Sequence, residues 1–419
     1  MRWKVVVSSV LALLFVGCGD APPPAPQAPA PGVATATAGA PPGGSAPVPD
    51  AHPLTAEQAV TRLFTTPKAS EAWFSPAFLA AIPIERVGPI LDDMRRVLGA
   101  FQRVEKDSAS YRVAFERGSV PTDVKLDDAG RFTMLFFHVP EMKKVGLDQA
   151  VNGFKALPGQ VHVLVMSDGA ERASLNPDMA LGVGSAFKLA ILAALREEVT
   201  AKKHAWVDVV ELRPAWKSLP SGFLQSWPEK TPLTLGTLAS VMISQSDNTA
   251  ADALLDVAGR TAVEKYAGRN RPFLSTREAF ILKDSANLPL LERYRKGDEN
   301  ARRALLIELA GKPLPPVEAF TDEPRALDVE WTFSAREMCD LMKKVSDLPL
   351  MSINAGVALP TEWDRVAYKG GSEPGVLNFT TEVEKGGKHH CVVATWNAKE
   401  RLDEMRFVTM YRQVLSSLK

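Results

Sequence analysis

Three short patterns in this sequence pair hydroxyls with amines at spacings that suit acyl transfer. The first is Ser185-Ala-Phe-Lys188, which opens an apolar run through Leu195. Positions i and i+3 of a helix share a face, so Ser185 and Lys188 would point the same way. A serine hydroxyl alone is a poor nucleophile. A partly desolvated lysine one turn on gives up its proton more readily and can act as its base. A helix start adds unpaired N–H groups and a positive dipole end for a developing oxyanion. The second pattern is Ser246-Asp-Asn248-Thr-Ala, with Ser246 sixty-one residues after Ser185. The third is Lys369-Gly-Gly371-Ser372, following the strand-like Trp363 to Tyr368. Small residues after Lys369 let a strand backbone approach a ligand closely. A second lysine there could hold a substrate carboxylate or polarise Ser246.

The elements that must position these residues can be read around them. Gln160 to Met166 alternates as a strand, Ser167-Asp-Gly169 turns, and a short strand follows from Arg172 to Leu175. The run after Ser185 is apolar on all sides, as a buried helix is. Ser246 falls between helical stretches at Thr234 to Ile243 and Thr249 to Val257. A hairpin from His389 to Trp396 and a terminal amphipathic helix from about Lys399 close the chain. In that helix Leu402, Met405, Val408, Met410, Val414 and Leu418 are placed to pack on the sheet.

Ser185-x-x-Lys188, Ser246-Asp-Asn248 and Lys369-Gly-Gly371, in this order, resemble the active-site triplet of serine β-lactamases and penicillin-binding proteins. Phe187 before the lysine and Ser246-Asp-Asn-Thr-Ala resemble class A most. The resemblance covers roughly residues 155–419. It implies an α/β (α+β) domain in which an antiparallel sheet is flanked by helices. It also implies roles: Ser185 as acylated nucleophile, Lys188 as its base, and Ser246 as proton relay to the leaving group. Asn248 would orient the substrate or Lys188, and Lys369 would bind a substrate carboxylate. The N–H groups of Ser185 and Ser372 would form the oxyanion hole, with Gly371 in the substrate site. A serine hydrolase with a covalent acyl-enzyme, opening β-lactams or related amides and esters, follows as the expectation. No metal and no cofactor belong to it.

The pattern also departs from the family. The Ω-loop glutamate that deacylates class A enzymes, in a Glu-x-x-Leu-Asn context, is missing. Lys369 follows Ser246 by 123 positions, a longer interval than is common, and the excess must fall between about Lys265 and Trp331. Glu278, Asp284 and Glu292 lie in that stretch and read as solvated or structural charges rather than as the deacylation base. Gly370 stands where the third motif usually has threonine. No arginine occurs on the following strand, Val376 to Val383; Arg401 and Arg406 read as surface ion-pair residues rather than as substitutes. Ser218-Leu-Pro-Ser-Gly222 and Trp227-Pro228 resemble a two-domain branch of the superfamily, whose first domain is steroid-isomerase-like.

Upstream lies an α+β unit of residues 54–145. Thr55-Ala-Glu-Gln58 is a capping-box pattern opening a helix. Phe78 to Phe101 is apolar-periodic, with breaks expected at Pro83 and Pro89. Strands are expected at Tyr111 to Phe115, Val124 to Leu126 and Arg131 to Val139, and His138 reads as a packed or edge histidine. This unit holds no nucleophile–base pair and reads as an accessory module.

The first fifty residues are not fold. Arg2 and Lys4 precede an uncharged stretch from Val5 to Gly17, too short to span a bilayer. Leu14-Phe-Val-Gly17-Cys18 resembles a bacterial lipobox, so residues 1–17 read as a signal peptide and Cys18 as a lipidated N-terminus. Ala21 to Pro49 has no charge and holds ten Pro, nine Ala and four Gly. Residues 18–53 therefore read as anchor and disordered tether, whose stretch from Ala21 to Pro49 could reach ~90 Å at ~3.1 Å per residue. A monomer anchored in a bacterial cell envelope is the expectation.

Composition closes off other classes. With 49 basic and 49 acidic residues, the net charge is zero. Nucleic-acid binding would need a cationic excess. Three cysteines exclude a disulfide scaffold; Cys339 and Cys391 are either bridged or two separate thiols. Neighbouring His389 and His390 would face opposite sides of a strand and cannot easily grip one metal ion. Against the hydrolase stands one reading from another class, a catalytically weak tethered binding module for cell-wall or small acyl ligands. A penicillin-binding-protein-like peptidase or esterase with slow deacylation lies between the two.

Overall fold

The computed structural model describes residues 54–138, 140–321 and 323–419. The signal segment, Cys18 and the tether lie outside the described residues. The chain divides into two units between Glu141 and Met142.

In the first unit, α1 (Ala56–Thr65) opens on the expected capping box: Thr55 Oγ1 accepts from Gln58 N–H, and Gln58 Oε1 accepts from Thr55 N–H. Helices α2 (Pro76–Ala81) and α3 (Ile84–Leu98) are parted at Pro83, as read from the sequence. Pro89 does not break α3. It removes one backbone hydrogen bond, but buried Val87, Leu91, Val97 and Leu98 hold the helix across it. An antiparallel meander follows: β1 (Phe101–Asp107), β2 (Ser110–Phe115), β3 (Gly118–Leu126) and β4 (Phe132–Phe137). Strand β1 was not expected from the residue pattern, and β3 is longer than expected. Phe64, Phe101 and Phe115 meet as neighbouring rings in the core. His138 sits at the edge with Nε2 2.8 Å from Asp123 Oδ2.

The second unit begins before the expected residue 155. Helix α4 (Leu147–Gly153) belongs to it, because Ala150 and Val151 pack with Phe154 into the core under the sheet. The sheet is built from β5 (Gln160–Ser167), β6 (Ala170–Leu175), β11 (Arg365–Glu373), β12 (Val376–Lys385) and β13 (Lys388–Asn397). All neighbours are antiparallel, in the order β11-β12-β13-β5-β6. Between the two sequence blocks lie the short β7 (Leu181–Gly182), α5 (Lys188–Thr200), and a hairpin of β8 (Val209–Glu211) and β9 (Pro232–Thr234). Then come α6 (Leu235–Ser244), α7 (Asn248–Ala258), α8 (Arg260–Glu264), α9 (Thr276–Lys283), α10 (Leu288–Lys296) and α11 (Glu299–Ala310). The short β10 (Thr332–Phe333) pairs with β7, and α12 (Ala335–Val345) follows.

The sheet separates two cores. Alternate strand residues point to opposite faces. Val163, Val165, Val366 and Tyr368 face α4 and the terminal helix α13 (Glu404–Ser416), whereas Leu164 and Ala367 face the helical layer. Every residue of α5 from Lys188 to Leu195 is buried, so this helix is the axis of that layer. Helix α13 packs through Phe407, Tyr411, Val414 and Leu415. Of the residues named from sequence, Val414 is buried and Leu402, Val408, Met410 and Leu418 pack half-buried against the same core, to which Phe407 and Tyr411 add buried aromatic area.

Cys339 on α12 and Cys391 on β13 form a disulfide, with Cα atoms 6.0 Å apart. The choice the sequence left open thus falls to pairing. The bond closes a loop of 52 residues, and restricting that loop in the unfolded chain stabilises by about 4 kcal/mol in the chain-entropy account. Replacing both cysteines by alanine should lower stability by about 2–4 kcal/mol, read from denaturant unfolding. A wild type whose midpoint does not move on reduction would show that the bridge contributes nothing.

Candidate active site

The nucleophile candidate lies on a one-turn 3-10 segment, Gly184–Phe187, that feeds directly into α5. Gly184 has φ +49°, and a Cβ there would lie 3.0 Å from Ser372 N and 3.2 Å from Gly371 C. Gly371 is tighter still: a Cβ would come within 2.6 Å of Ser185 N and 2.7 Å of Ala186 N. Two backbones therefore touch where a side chain on either would part them. Strand β11 thereby brings Ser372 against the turn that carries Ser185. On that strand Lys369, Gly371 and Glu373 alternate onto the face of Ala367, toward the helical layer.

Lys188 is completely buried and is the hub. Its Nζ lies 3.2 Å from Ser185 Oγ and 3.2 Å from Ser246 Oγ. It donates to the Ser246 carbonyl and, at 2.6 Å, to Asn248 Oδ1. Among the described residues it forms no ion pair. Burial pulls its pKa down to about 7, against the opposing pull of Asp247, Asp252 and Glu373. Lys369, also buried, reaches Ser246 Oγ at 3.0 Å and the Gly370 carbonyl at 2.6 Å. Burial, with the charge of Lys188 added, lowers its pKa well below the ordinary lysine value. Two amines thus flank one hydroxyl in a dry site, where two full positive charges are unfavourable.

Ser246 occupies the turn between α6 and α7 with φ +55°, a left-handed conformation unusual for serine. The loop singled out at Ser218 to Gly222 pays part of that cost. Ser221 Oγ donates to the Ser246 carbonyl at 2.7 Å, and Asn248 N–H donates to the Ser221 carbonyl. Asn248 Nδ2 donates to Leu219 O at 3.0 Å, which turns its own carbonyl toward Lys188. Buried Asp247 accepts from the N–H groups of Phe223, Leu224 and Ala250 and so ties this loop to the start of α7. Ser221 is a positioning residue that sequence reasoning did not assign. The motif containing it was visible; its direction toward Ser246 was not. Asn397 was missed in the same way. It exchanges two hydrogen bonds with Gly182, at 2.8 and 2.9 Å, and so locks the strand leading to Ser185.

The sequence-predicted residues Ser185, Lys188, Ser246, Asn248 and Lys369 are joined by hydrogen bonds, with Gly371 and Ser372 against the nucleophile turn. The other candidates are not brought here. Glu278 is the N3 residue of a capping box with Ser275, and both its oxygens bind Arg260. Asp284 caps a short 3-10 turn, and Glu292 pairs with Arg295. Arg406 donates to the Ala156 carbonyl. His390 meets Ser167, while His389 faces the other way toward Glu382. Among the described residues no group of three potential ligands could hold a metal ion. The arrangement can activate a serine, hold an oxyanion between two backbones and return a proton through a second serine.

These elements define a serine β-lactamase-like fold, preceded by a small separate region. The sequence model of the beta-lactamase enzyme family matches residues 144–406, and the chain belongs to that family. No curated protein matches the chain. Among solved structures it is similar to a β-lactamase from Sphaerobacter thermophilus DSM 20745, at 22% identity and TM-score 0.44, covering 65% of this chain and 95% of that one. A β-lactamase from Chitinophaga pinensis DSM 2588 is 19% identical, with TM-score 0.44 and coverage of 65% and 99%. A structure named PBP-A is 16% identical, with TM-score 0.44 and coverage of 65% and 96%.

The absent threonine of the third motif has a local physical reason. A Cβ on Gly370 would collide with the Tyr368 hydroxyl, two positions back on the same strand face. The Tyr368 ring is buried in the core beneath the sheet and has little room to yield. Gly370→Thr, which restores the usual motif, should therefore cost about 1–3 kcal/mol of stability through overpacking. Thermal unfolding checks this; an unshifted midpoint would mean that the ring swings aside freely.

Proposed function

We propose that the second unit is a serine hydrolase, class A-like in its site, that acts on β-lactams or related amides and esters through a covalent acyl-enzyme. The observation that carries this reading is the buried Lys188 amine, 3.2 Å from both Ser185 Oγ and Ser246 Oγ. As the neutral amine, Lys188 takes the Ser185 proton while Oγ bonds to the carbonyl carbon. The resulting oxyanion sits between the N–H groups of Ser185 and Ser372. Its collapse breaks the bond to the leaving nitrogen or oxygen. That atom takes the Ser246 proton, and the Lys188 ammonium returns one to Ser246. Lys369 serves as the carboxylate clamp and keeps Ser246 polarised.

Deacylation is expected to be slow. Near Lys188, Asp247 holds three backbone N–H groups, Asp252 binds Thr276 and Arg277, and Glu373 pairs with Lys283. Each of these carboxylates is engaged, and Glu278 is tied to Arg260. This favours a penicillin-binding-protein-like persistence of the acyl-enzyme over rapid turnover. The reading extends to the rest of the chain. Lipid on Cys18 and a proline-rich tether would hold the enzyme at an extracytoplasmic membrane face. The small first unit, read as steroid-isomerase-like, would serve as an accessory or substrate-positioning module.

Two measurements test this. Penicillin should add its full mass to the wild-type chain, decay slowly, and leave Ser185→Ala unmodified. No adduct, together with no turnover of a chromogenic cephalosporin or a short-chain ester, would support the tethered binding module instead. The acylation rate should climb with pH and level off above about 7, because only the neutral Lys188 accepts a proton and burial sets its pKa near that value. Lys188→Arg, cationic throughout, should be slow at every pH. A wild-type profile that is flat from acid to alkaline pH would remove Lys188 as the base.

A further inference from the structure

Away from the serine cleft, the second unit contains a cavity of about 260 Å³ that the reaction does not use. It lies where the long excursion carrying α9, α10 and α11 leaves the body at Arg269 to Leu274 and returns at Asp328 to Thr332. Four arginines line it, Arg269, Arg271, Arg295 and Arg302, with two acidic residues, Asp328 and Glu330.

Pairing these charges leaves a surplus. Arg295 grips Asp328 in a two-pronged contact at 2.6 and 2.7 Å and also binds Glu292. Arg269 pairs with Glu337. Glu330 is buried against Lys283. Arg302 donates to the Tyr294 and Arg295 carbonyls and lies over the Tyr294 ring, 4.8 Å from its centroid, but meets no carboxylate. Arg271 is exposed and, among the described residues, has no hydrogen-bond or ion-pair partner. Two arginines without an acidic partner therefore line one recess. Guanidinium presents parallel N–H donors that match the oxygens of a carboxylate or phosphate. Tyr294, Leu274 and Trp331 supply an apolar wall. At ~30 Å³ per water the space equals roughly eight or nine waters, so it suits a small molecule rather than a polymer.

We propose that this recess binds a small oxyanion-bearing ligand, a carboxylate or a phosphate, held by Arg271 and Arg302. The site is separate from the acylation cleft and does not depend on the hydrolase reading. It is linked to the nucleophile turn: Trp331 stacks on Phe187 with centroids 3.8 Å apart, and its carbonyl accepts from Val183 N–H.

The test is calorimetric titration of the full chain at low ionic strength with inorganic phosphate and, separately, with succinate; sodium chloride at matched ionic strength serves as reference. At least one anion should bind saturably. Arg271→Ala should weaken that binding roughly tenfold or more without moving the ligand-free unfolding midpoint, since Arg271 holds nothing in the fold. Arg302→Gln should also weaken binding, and Arg103→Ala in the first unit should not. Lys369→Ala should bind as the wild type does, which separates this recess from the carboxylate clamp beside Ser246. Phosphate alone, or succinate alone, identifies the ligand class. No saturable heat with either anion, equal affinity in Arg271→Ala, or loss in Lys369→Ala but not in Arg271→Ala would overturn the proposal.

Discussion

The second unit is organised around one amine held out of water. Lys188 carries an amine whose charge the protein interior penalises, and among the described residues it forms no ion pair. Its hydrogen bonds go instead to neutral oxygens from two places in the sequence: Ser185 on its own turn, and Ser246 and Asn248 between α6 and α7. The site is thus poised between protonation states instead of being locked as an ion pair. An acid in contact with Lys188 would raise its pKa and destroy that poise. The nearby acids are each committed elsewhere, Asp247 to backbone N–H groups, Asp252 to the start of α9 and Glu373 to Lys283.

Much of the surrounding architecture keeps that amine in place. From Lys188 to Leu195 helix α5 is buried on all sides, so it cannot rotate without exposing core. The unusual backbone of Ser246 is held by Ser221 and by the loop that Asp247 anchors. Strand β11 can lie against the nucleophile turn only because Gly371 and Gly184 have no side chains. The close approach that could stabilise an oxyanion and the burial that lowers the lysine pKa are one packing arrangement.

The chemistry was legible because it is local. Ser185 and Lys188 are one turn apart, and Ser246 and Asn248 flank Asp247, the N-cap of a helix whose apolar pattern is plain. Lys369 belongs to a strand whose glycines announce a close approach. Elements with a strong signature, such as α5 and the capping box at Thr55, were legible for the same reason. The role of Glu278 was also readable, since Ser275-Thr-Arg-Glu278 is itself a capping pattern. What could not be read depended on distances between remote segments. The Cys339–Cys391 pairing, the reach of Ser221 to Ser246 and the Asn397 clasp on Gly182 each require the folded sheet. Pro89 inside α3 misled because burial outweighed a local rule.

The order of strands in the sheet bears on how such a site comes into being. Strand β5 pairs with β13, so Gln160 meets Asn397 across more than half the chain. The helical layer sits between them in sequence and can begin to form as soon as it is made, but the sheet cannot close until the C-terminal hairpin exists. Contacts so distant in sequence are entropically expensive and form late. The turn bearing Ser185 and the strand bearing Lys369 come from opposite sides of that gap. The cluster of Ser185, Lys188, Ser246 and Lys369 is therefore completed only as the last strands dock. The chain spends its partly folded life without an assembled nucleophile, and a truncated or stalled product carries none.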